Sequence, residues 1–410
     1  MADLLIEPGT LTGSIEPPPS KSDAHRALIA AWLAGDRQGS GISGLPEVLP
    51  DDLAATCRCL AALAAGRSEL DCGESGTTLR LLIPITAALD PADRARQVTF
   101  LGRGRLPQRP IDAYRTILGD AGAQLDFPGT DSLPLILSGR IGAGLFQLPG
   151  HISSQYLSGL LFALPLLPGD SQIVLTTPLE SAPYVAMTLR TLSAFGIVVH
   201  ESERGYDIPG SQTYRKTAYK IEKDYSQAAF WLTANYLGSN LQVIGLSESS
   251  VQGDRAIEAL LADFRLARPE YCIDAAQIPD LVPILAVAAA AAPAVTRIVR
   301  AARLRLKESD RLESTAAALA ALGADIVVEA DGLLIRGGGK DQTALAPLPL
   351  RGGEVDTLGD HRIAMAAAIA ALNTKQGVVL RHSEAVRKSY PTFFADFKRL
   401  GGNIHELDLG

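Results

Sequence analysis

Two kinds of helical segment alternate along the chain. The first is apolar nearly all the way round and opens on a polar residue. Such segments begin near Ser20 (SKSDAHRALIAAWLAG), Ser75 (SGTTLRLLIPITAAL), Ser153 (SSQYLSGLLFALPLL), Asp224 (DYSQAAFWLTANYLG), Asp280 (DLVPILAVAAAAA) and Asp360 (DHRIAMAAAIAAL). A helix with so little polar surface is predicted to be buried. The second kind is amphipathic, starts at Asp or Pro and usually stops at Gly: 51–66, 110–122, 183–196, 254–263, 310–323 and 391–401. These are predicted to be surface helices. Strand-like runs lie between them, among them 97–101, 172–176, 241–246 and 377–380.

The spacing of the buried-helix starts carries a repeat. Successive starts are 55, 78, 71, 56 and 80 residues apart, so the pair 55, 78 of the first half returns as 56, 80 in the second. The chain therefore reads as two halves of three α/β units. A boundary is expected in the polar stretch 202–220, just before a new unit starts. A length of 410 residues agrees, since it exceeds what one hydrophobic core usually organises.

Composition narrows the class. Apolar residues make up 47% and charged residues 20%, the balance of a folded soluble protein. A net charge of -7 argues against a nucleic-acid partner. The longest apolar stretch, 281–295, is interrupted by Pro283 and Pro293 and is shorter than a membrane span, so no membrane partner is expected. The opening MADLLIEPGT shows no secretory pattern. Cys57, Cys59, Cys72 and Cys272 have no zinc-like spacing, which points to a reduced cytoplasmic setting and no metal.

Cations gather at the helix starts. A helix N-terminus offers free N–H groups and the positive end of the macrodipole, and so receives phosphate or carboxylate. Ser20, Lys21 and Ser22 precede Arg26; Ser75, Gly76 and Thr77 precede Arg80; Ser153, Ser154 and Gln155 stand together; Asp360 and His361 precede Arg362. Ser and Asp at such positions are equally expected as ordinary caps. Capping does not, however, call for Lys21, the only lysine in the first 215 residues, or for the three arginines. A cation buried in an apolar helix needs an anionic partner, which a ligand could supply. In RLRLKESDRLES, Lys307 and Arg311 are expected to share a helical face beside Glu308. The loop LGRGRLPQRP, with Arg103, Arg105 and Arg109, is expected to be exposed and mobile.

The ordered series SKSDAHRALI, CGESGTTLR, RPIDAYRTILGDAGA, SSQYLSGLL, SAPYVAMTLRTLSAFGI, QGD, IPDL, KESDRL, GDHRIAMA and KSYPTFF resembles that of the 5-enolpyruvylshikimate-3-phosphate synthases over nearly the whole chain. Single members such as QGD are weak, but the ordered set is specific. The resemblance implies the enolpyruvyl transferase fold: two inverse α/β domains, each of three repeated units around buried parallel helices, closing over the substrates. It places residues 1–14 with 221–410 in one domain and 15–220 in the other, with a two-strand hinge near 14–20 and 215–223. It also implies a monomer, no cofactor, and two small-molecule substrates, shikimate 3-phosphate and phosphoenolpyruvate.

Residue by residue, the resemblance assigns Lys21, Ser22, Arg26, Ser153, Ser154, Gln155, Ser181, Tyr184, Asp280 and Lys307 to shikimate 3-phosphate. It assigns Lys21, Gly76, Thr77, Arg109, Gln155, Arg311, Arg362 and Lys388 to phosphoenolpyruvate. Guanidinium forks suit carboxylate and phosphate, and lysine serves as a compact point charge. The reaction needs a proton removed from the acceptor hydroxyl and one delivered to the donor methylene. Asp280 is expected to be the base, Glu308 the acid, and Lys21 to assist proton transfer and stabilise charge on phosphate. The sequence departs from the family pattern at Glu74, where asparagine is expected, and at Asp23, Ala24 and Arg303. With Gly76 and SSQ retained, glyphosate is expected to compete with phosphoenolpyruvate. Two other readings compete with this one. A UDP-N-acetylglucosamine enolpyruvyl transferase would commonly carry a cysteine on the loop at 101–110, where this chain has none. A non-catalytic phosphate-binding homologue would gain nothing from Asp280 and Glu308 beside its cations.

Overall fold

The computed structural model describes residues 3–90, 92, 94–129, 132–266, 268–337 and 349–407. The chain divides into two compact units, a continuous one (Lys21–Glu222) and a split one (Met1–Ser20 with Lys223–Gly410). The continuous unit carries helices α1 (Lys21–Leu33), α2 (Asp51–Ala64), α3 (Gly76–Ala88), α4 (Asp112–Asp120), α5 (Ser154–Ala163) and α6 (Ala182–Ala194). The split unit carries α7 (Tyr225–Tyr236), α8 (Ile257–Asp263), α9 (Val282–Ala291), α10 (Arg311–Ala321), α11 (His361–Ala371) and α12 (Phe393–Arg399). Odd-numbered helices are the apolar kind and even-numbered helices the amphipathic kind.

Burial follows the pattern of the sequence. All ten residues of α9 and all eleven of α11 are buried, whereas α2 buries mainly the stripe Leu53, Thr56, Leu60 and Leu63. Each unit has its own apolar core, and α7, α9 and α11 pack on one another in the split unit. In the continuous unit α3 lies against α5, and Gly159 permits the approach. A Cβ at Gly159 would fall 2.6 Å from both the Arg80 carbonyl and the Tyr114 hydroxyl, so this helix pair closes only on glycine.

The units share a sheet pattern. Each holds two four-stranded sheets, in which one parallel pair is followed by two antiparallel pairs. In the continuous unit one sheet runs Glu69–Asp71, Gln97–Leu101, Leu135–Gly139, Ala123–Asp126; its counterpart in the split unit runs Glu270–Asp274, Val295–Val299, Gly332–Arg336, Asp325–Glu329. Each unit also has a two-stranded parallel sheet, Ile42–Ser43 with Tyr219–Lys220 and Thr12–Ile15 with Asn240–Val243. Asp3–Ile6 lies between Val378–Arg381 and Ile404–Leu407, which ties the first strand to the last helix-strand repeat. Three repeated α/β units thus stand in each half. Among the described residues no helix is long and apolar enough to cross a membrane.

Candidate active site

Most apolar helices start where a side chain caps them. Ser75 Oγ accepts from the Thr78 amide, Ser153 Oγ from Gln155, Asp224 from Ser226 and Gln227, and Asp360 from Arg362. Asp280 departs from its expected place at a helix start. It lies in a 3-10 turn, Pro279–Leu281, and α9 begins after it at Val282, with Pro283 in its first turn. The carboxylate is thereby released from capping and takes cations instead.

In the split unit those cations converge. Asp280 Oδ1 accepts from Arg311 Nη1 at 2.9 Å and lies 3.7 Å from Lys307 Nζ, while Oδ2 accepts from Arg362 Nη2 at 3.0 Å. Arg362 Nη1 also donates to the Asp280 carbonyl at 3.0 Å. Arg311, 1% exposed, is the hub: Nε donates to Asp360 Oδ2 at 2.8 Å and Nη2 to Glu308 Oε2 at 2.5 Å. Ser309 Oγ donates to Asp360 Oδ2 at 3.0 Å and orients that carboxylate in turn. Lys388 Nζ donates to the Gly359 carbonyl at 2.8 Å, one residue before the α11 cap.

The charges respond to this crowding. Burial opposes ionisation of Asp280, but Arg362, Lys307 and Arg311 together override it and hold the carboxyl well below its usual range. Lys307 is pushed down to about 8, burial and the neighbouring arginines outweighing Asp280. Asp254, 4% exposed, goes the other way: burial and the charge of Asp280 push its carboxyl up to about 7 despite Arg362.

The continuous unit presents a second polar group. Lys21 Nζ donates to Asp52 Oδ2 at 2.6 Å. Arg26, 2% exposed, donates to Thr188 Oγ1 (2.8 Å), the Ser22 carbonyl (2.6 Å), the Tyr184 carbonyl (2.9 Å) and Ser158 Oγ (3.4 Å). Every one of these acceptors is neutral, and burial draws the guanidinium down to about 10. Ser181, at the start of α6, is buried and left-handed, with φ 55° and ψ 37°. A non-glycine residue in that region is strained by about 1 kcal/mol or more. Gln155 is held from both ends: its Nε2 donates to Thr77 Oγ1 and its Oε1 accepts from Arg80 Nη1, each at 2.9 Å. Ser154 is buried beside it on α5.

Arg109 corrects the expectation of an exposed loop. Arg103 and Arg105 are exposed, but Leu106 is 1% exposed and anchors the segment, leaving Arg109 8% exposed over the start of α3. A Cβ at Gly76 would lie 2.7 Å from Arg109 Nη1. Two further expectations are corrected. Lys307 and Arg311 do not share a helical face: Lys307 ends the 3-10 turn Ala302–Leu306 in extended conformation, Asp310 caps α10, and the helix begins at Arg311. Nor do Arg26 and Arg80 require an anion for their hydrogen bonds, since carbonyls, hydroxyls and an amide accept from them. In the sequence Asp360 stands out only as a helix start, and Asp52 and Asp254 only as members of surface helices. Asp360 was findable as an acid directly ahead of a buried His-Arg pair; a second aspartate after Asp51 carries no comparable signal.

Solved structures share this architecture. EPSP synthase from Acinetobacter baumannii matches with a TM-score of 0.78 at 24% identity, covering 100% of both chains. An enolpyruvyl transferase from Streptomyces tendae matches with a TM-score of 0.74 at 17% identity, covering 99% of both. The fold is that of the enolpyruvyl transferases. A family model described as EPSP synthase (3-phosphoshikimate 1-carboxyvinyltransferase) matches residues 62–397. Proteins described as 3-phosphoshikimate 1-carboxyvinyltransferase are 43% identical in Clostridium acetobutylicum and 40% identical in Clostridium kluyveri, with 99% of both chains covered in each comparison. The chain belongs to the EPSP synthase family.

Proposed function

We propose that this enzyme transfers the enolpyruvyl group of phosphoenolpyruvate to the 5-hydroxyl of shikimate 3-phosphate, releasing phosphate in the shikimate route to aromatic amino acids. The observation that carries the reading is Asp280 ringed by Arg311, Arg362 and Lys307, with Glu308 bonded to the same Arg311. A binding protein for anions would not spend its cations on carboxylates, whereas a proton-transfer enzyme needs both kinds of group.

Asp280 takes the proton of the acceptor hydroxyl as its oxygen bonds to C2 of the donor, and Glu308 protonates the donor methylene. In the resulting tetrahedral adduct the C2–O bond to phosphate breaks. The methyl group returns its proton to Glu308, and phosphate departs with the proton held by Asp280. Arg311, Arg362, Lys388, Arg109 and Lys21 stabilise negative charge on the donor carboxylate and phosphate. Ser22, Arg26, Ser153, Ser154, Ser181, Tyr184, Asp280 and Lys307 hold the acceptor, Lys21 and Gln155 contact both substrates, and Gly76 and Thr77 contact the donor. Arg26, buried with neutral acceptors only, is suited to an anionic ligand. The four cysteines are free thiols, which fits a reducing cytoplasmic compartment.

Phosphate release from phosphoenolpyruvate tests the assignment, with shikimate 3-phosphate or UDP-N-acetylglucosamine as acceptor. Release is expected only with the former, with kcat falling at least 100-fold in Asp280→Asn and in Glu308→Gln, on the order of the general acid–base contribution. Release with the nucleotide sugar, or near-normal turnover in both variants, would overturn it.

A further inference from the structure

Several polar residues of the continuous unit lie behind the proposed substrate ligands and are not used by them. His25 Nδ1 lies 2.7 Å from Thr56 Oγ1, and Thr56 Oγ1 lies 2.6 Å from Thr78 Oγ1. Thr78 Oγ1 is in turn 2.7 Å from Ser75 Oγ and 3.3 Å from the Asp52 carbonyl. His25, Thr56, Thr78 and Ser75 are at most 1% exposed. This hydrogen-bonded series joins the second turns of α1 and α2 to the first turn of α3 through an otherwise apolar core. Asp52 is its outer end, because the residue whose carbonyl meets Thr78 is the one whose carboxylate binds Lys21 at 2.6 Å.

Two simpler roles do not account for Asp52. As a helix-dipole partner it is redundant, since the neighbouring Asp51 already supplies an acid in the first turn of α2. As a stabilising ion pair it gains little, because the side chains of Lys21 and Asp52 are only 15% and 13% exposed and desolvation consumes much of their attraction. What the pair does fix is where the Lys21 ammonium points.

We propose that Asp52 is a positioning residue for the transfer reaction, acting through Lys21 and holding it in register with the first turn of α3 at Gly76 and Thr77. The inference rests on the assignment of Lys21 to the substrates. Its signature is a split between the kinetic constants. Neutralising Asp52 removes a negative charge beside a site that binds anions, which favours their binding. The same change removes the carboxylate that lies 2.6 Å from the Lys21 ammonium and bears on its direction, and a misplacement of about 1 Å costs on the order of 100-fold in turnover.

The test is steady-state phosphate release by Asp52→Asn, Lys21→Met and the double variant, with melting temperature measured alongside. Asp52→Asn is expected to lose about 10- to 100-fold in kcat without a rise in KM for phosphoenolpyruvate. In the Lys21→Met background the same change is expected to alter kcat less than about twofold, as for residues acting as one unit. A kcat for Asp52→Asn within twofold of the unmodified enzyme would overturn the proposal. So would an equal loss in both backgrounds, which marks damage independent of Lys21. If Lys21→Met itself turns over normally, the assignment of Lys21 fails instead, a separate result. Should Asp52→Asn not fold, Asp52→Glu keeps the charge but moves it by one methylene. A kcat reduced at least threefold at unchanged KM then supports the proposal, and an unchanged kcat overturns it.

Discussion

Gly76→Ala is the smallest change that should separate donor binding from folding. The added methyl would stand 2.7 Å from Arg109 Nη1, 2.8 Å from Cζ and 3.0 Å from Nη2, and no other atom is as close. Carbon does not approach a guanidinium to 2.7 Å, so something must shift by roughly 1 Å, the shortfall from ordinary carbon contact distances. The obstacle is the far end of a flexible side chain, while Gly76 is in the first turn of α3 with ordinary helical backbone. Arg109 should therefore move and the helix stay. Relieving an overpacked contact costs about 1–3 kcal/mol when backbone is involved, and less for a side-chain tip; alanine also returns up to about 1 kcal/mol of helix propensity. The melting temperature should hardly change.

Function should suffer more. If Arg109 binds the donor, its displacement forfeits a charge-assisted hydrogen bond of about 1.5–3 kcal/mol. That is about 10- to 100-fold in affinity. The assay varies phosphoenolpyruvate at saturating shikimate 3-phosphate, then reverses the roles. KM for the donor should rise by about that factor while KM for the acceptor changes less, since the three atoms nearest the new methyl all belong to Arg109. A donor KM within twofold of the starting value would refute the placement of Arg109 in the donor site. A melting temperature lower by many degrees would instead show that the helix start had moved.

Two further outcomes follow from the same geometry. Glyphosate, an anion of similar charge, should raise the apparent KM for phosphoenolpyruvate without lowering kcat in a steady-state titration, and Gly76→Ala should weaken both ligands together; inhibition that added phosphoenolpyruvate does not relieve would count against a shared site. Asp254 is raised to about 7 from an ordinary carboxyl value near 3.8, so folding favours its protonated form. That contribution is complete below the unfolded value and is lost as pH rises toward 7. Asp254→Asn should thus raise the melting temperature at pH 8 more than at pH 5 by scanning calorimetry, and the reverse order would be inconsistent with a buried, disfavoured charge.

Much of this architecture was legible because helix starts and apolar periodicity are local signals. Asp224 and Asp360 both cap helices at the residues expected, and the strand Gln97–Leu101 falls where its apolar alternation puts it. The strand Thr12–Ile15 gave no such signal: its residues TGSI bury only Ile15, and it is held by a partner 228 residues away. The sequence marked out the charged residues that cluster in the split unit, Asp280, Lys307, Glu308, Arg311 and Arg362, more than it did their arrangement. A polar residue ahead of an apolar run made Asp280 read as a helix start, yet it lies in a 3-10 turn opened by Pro279, and α9 begins only at Val282, so the carboxylate accepts from cations instead of capping. Glycines at 102 and 104 argued for an open loop, but one leucine, Leu106, docks in the core and carries Arg109 inward. Such outcomes depend on contacts between distant residues, which local pattern does not encode.

The charge state of Asp280 bears directly on its proposed role as the base. A carboxyl held well below its ordinary value by Arg362, Lys307 and Arg311 is a weak base, poorly matched to a hydroxyl proton. The proposed donor draws on two of those cations, Arg311 and Arg362, and adds negative charge near the carboxylate. Both effects favour the protonated form, so donor binding should raise the Asp280 value toward the range where it can accept a proton. Lys307, lowered to about 8 by burial and by the arginines, should likewise be raised by the phosphate of the acceptor. The consequence is proton uptake with a definite sign: toward acid pH when phosphoenolpyruvate binds, and near pH 8 when shikimate 3-phosphate binds. Calorimetric titrations in buffers of differing ionisation enthalpy measure it directly. Uptake near pH 8 should vanish in Lys307→Arg, whose guanidinium stays charged throughout, and uptake at acid pH should vanish in Asp280→Asn. Proton release in either titration would mean that the anions do not engage these cations, and that Asp280 acquires its basicity, if it acts as the base, by some other route.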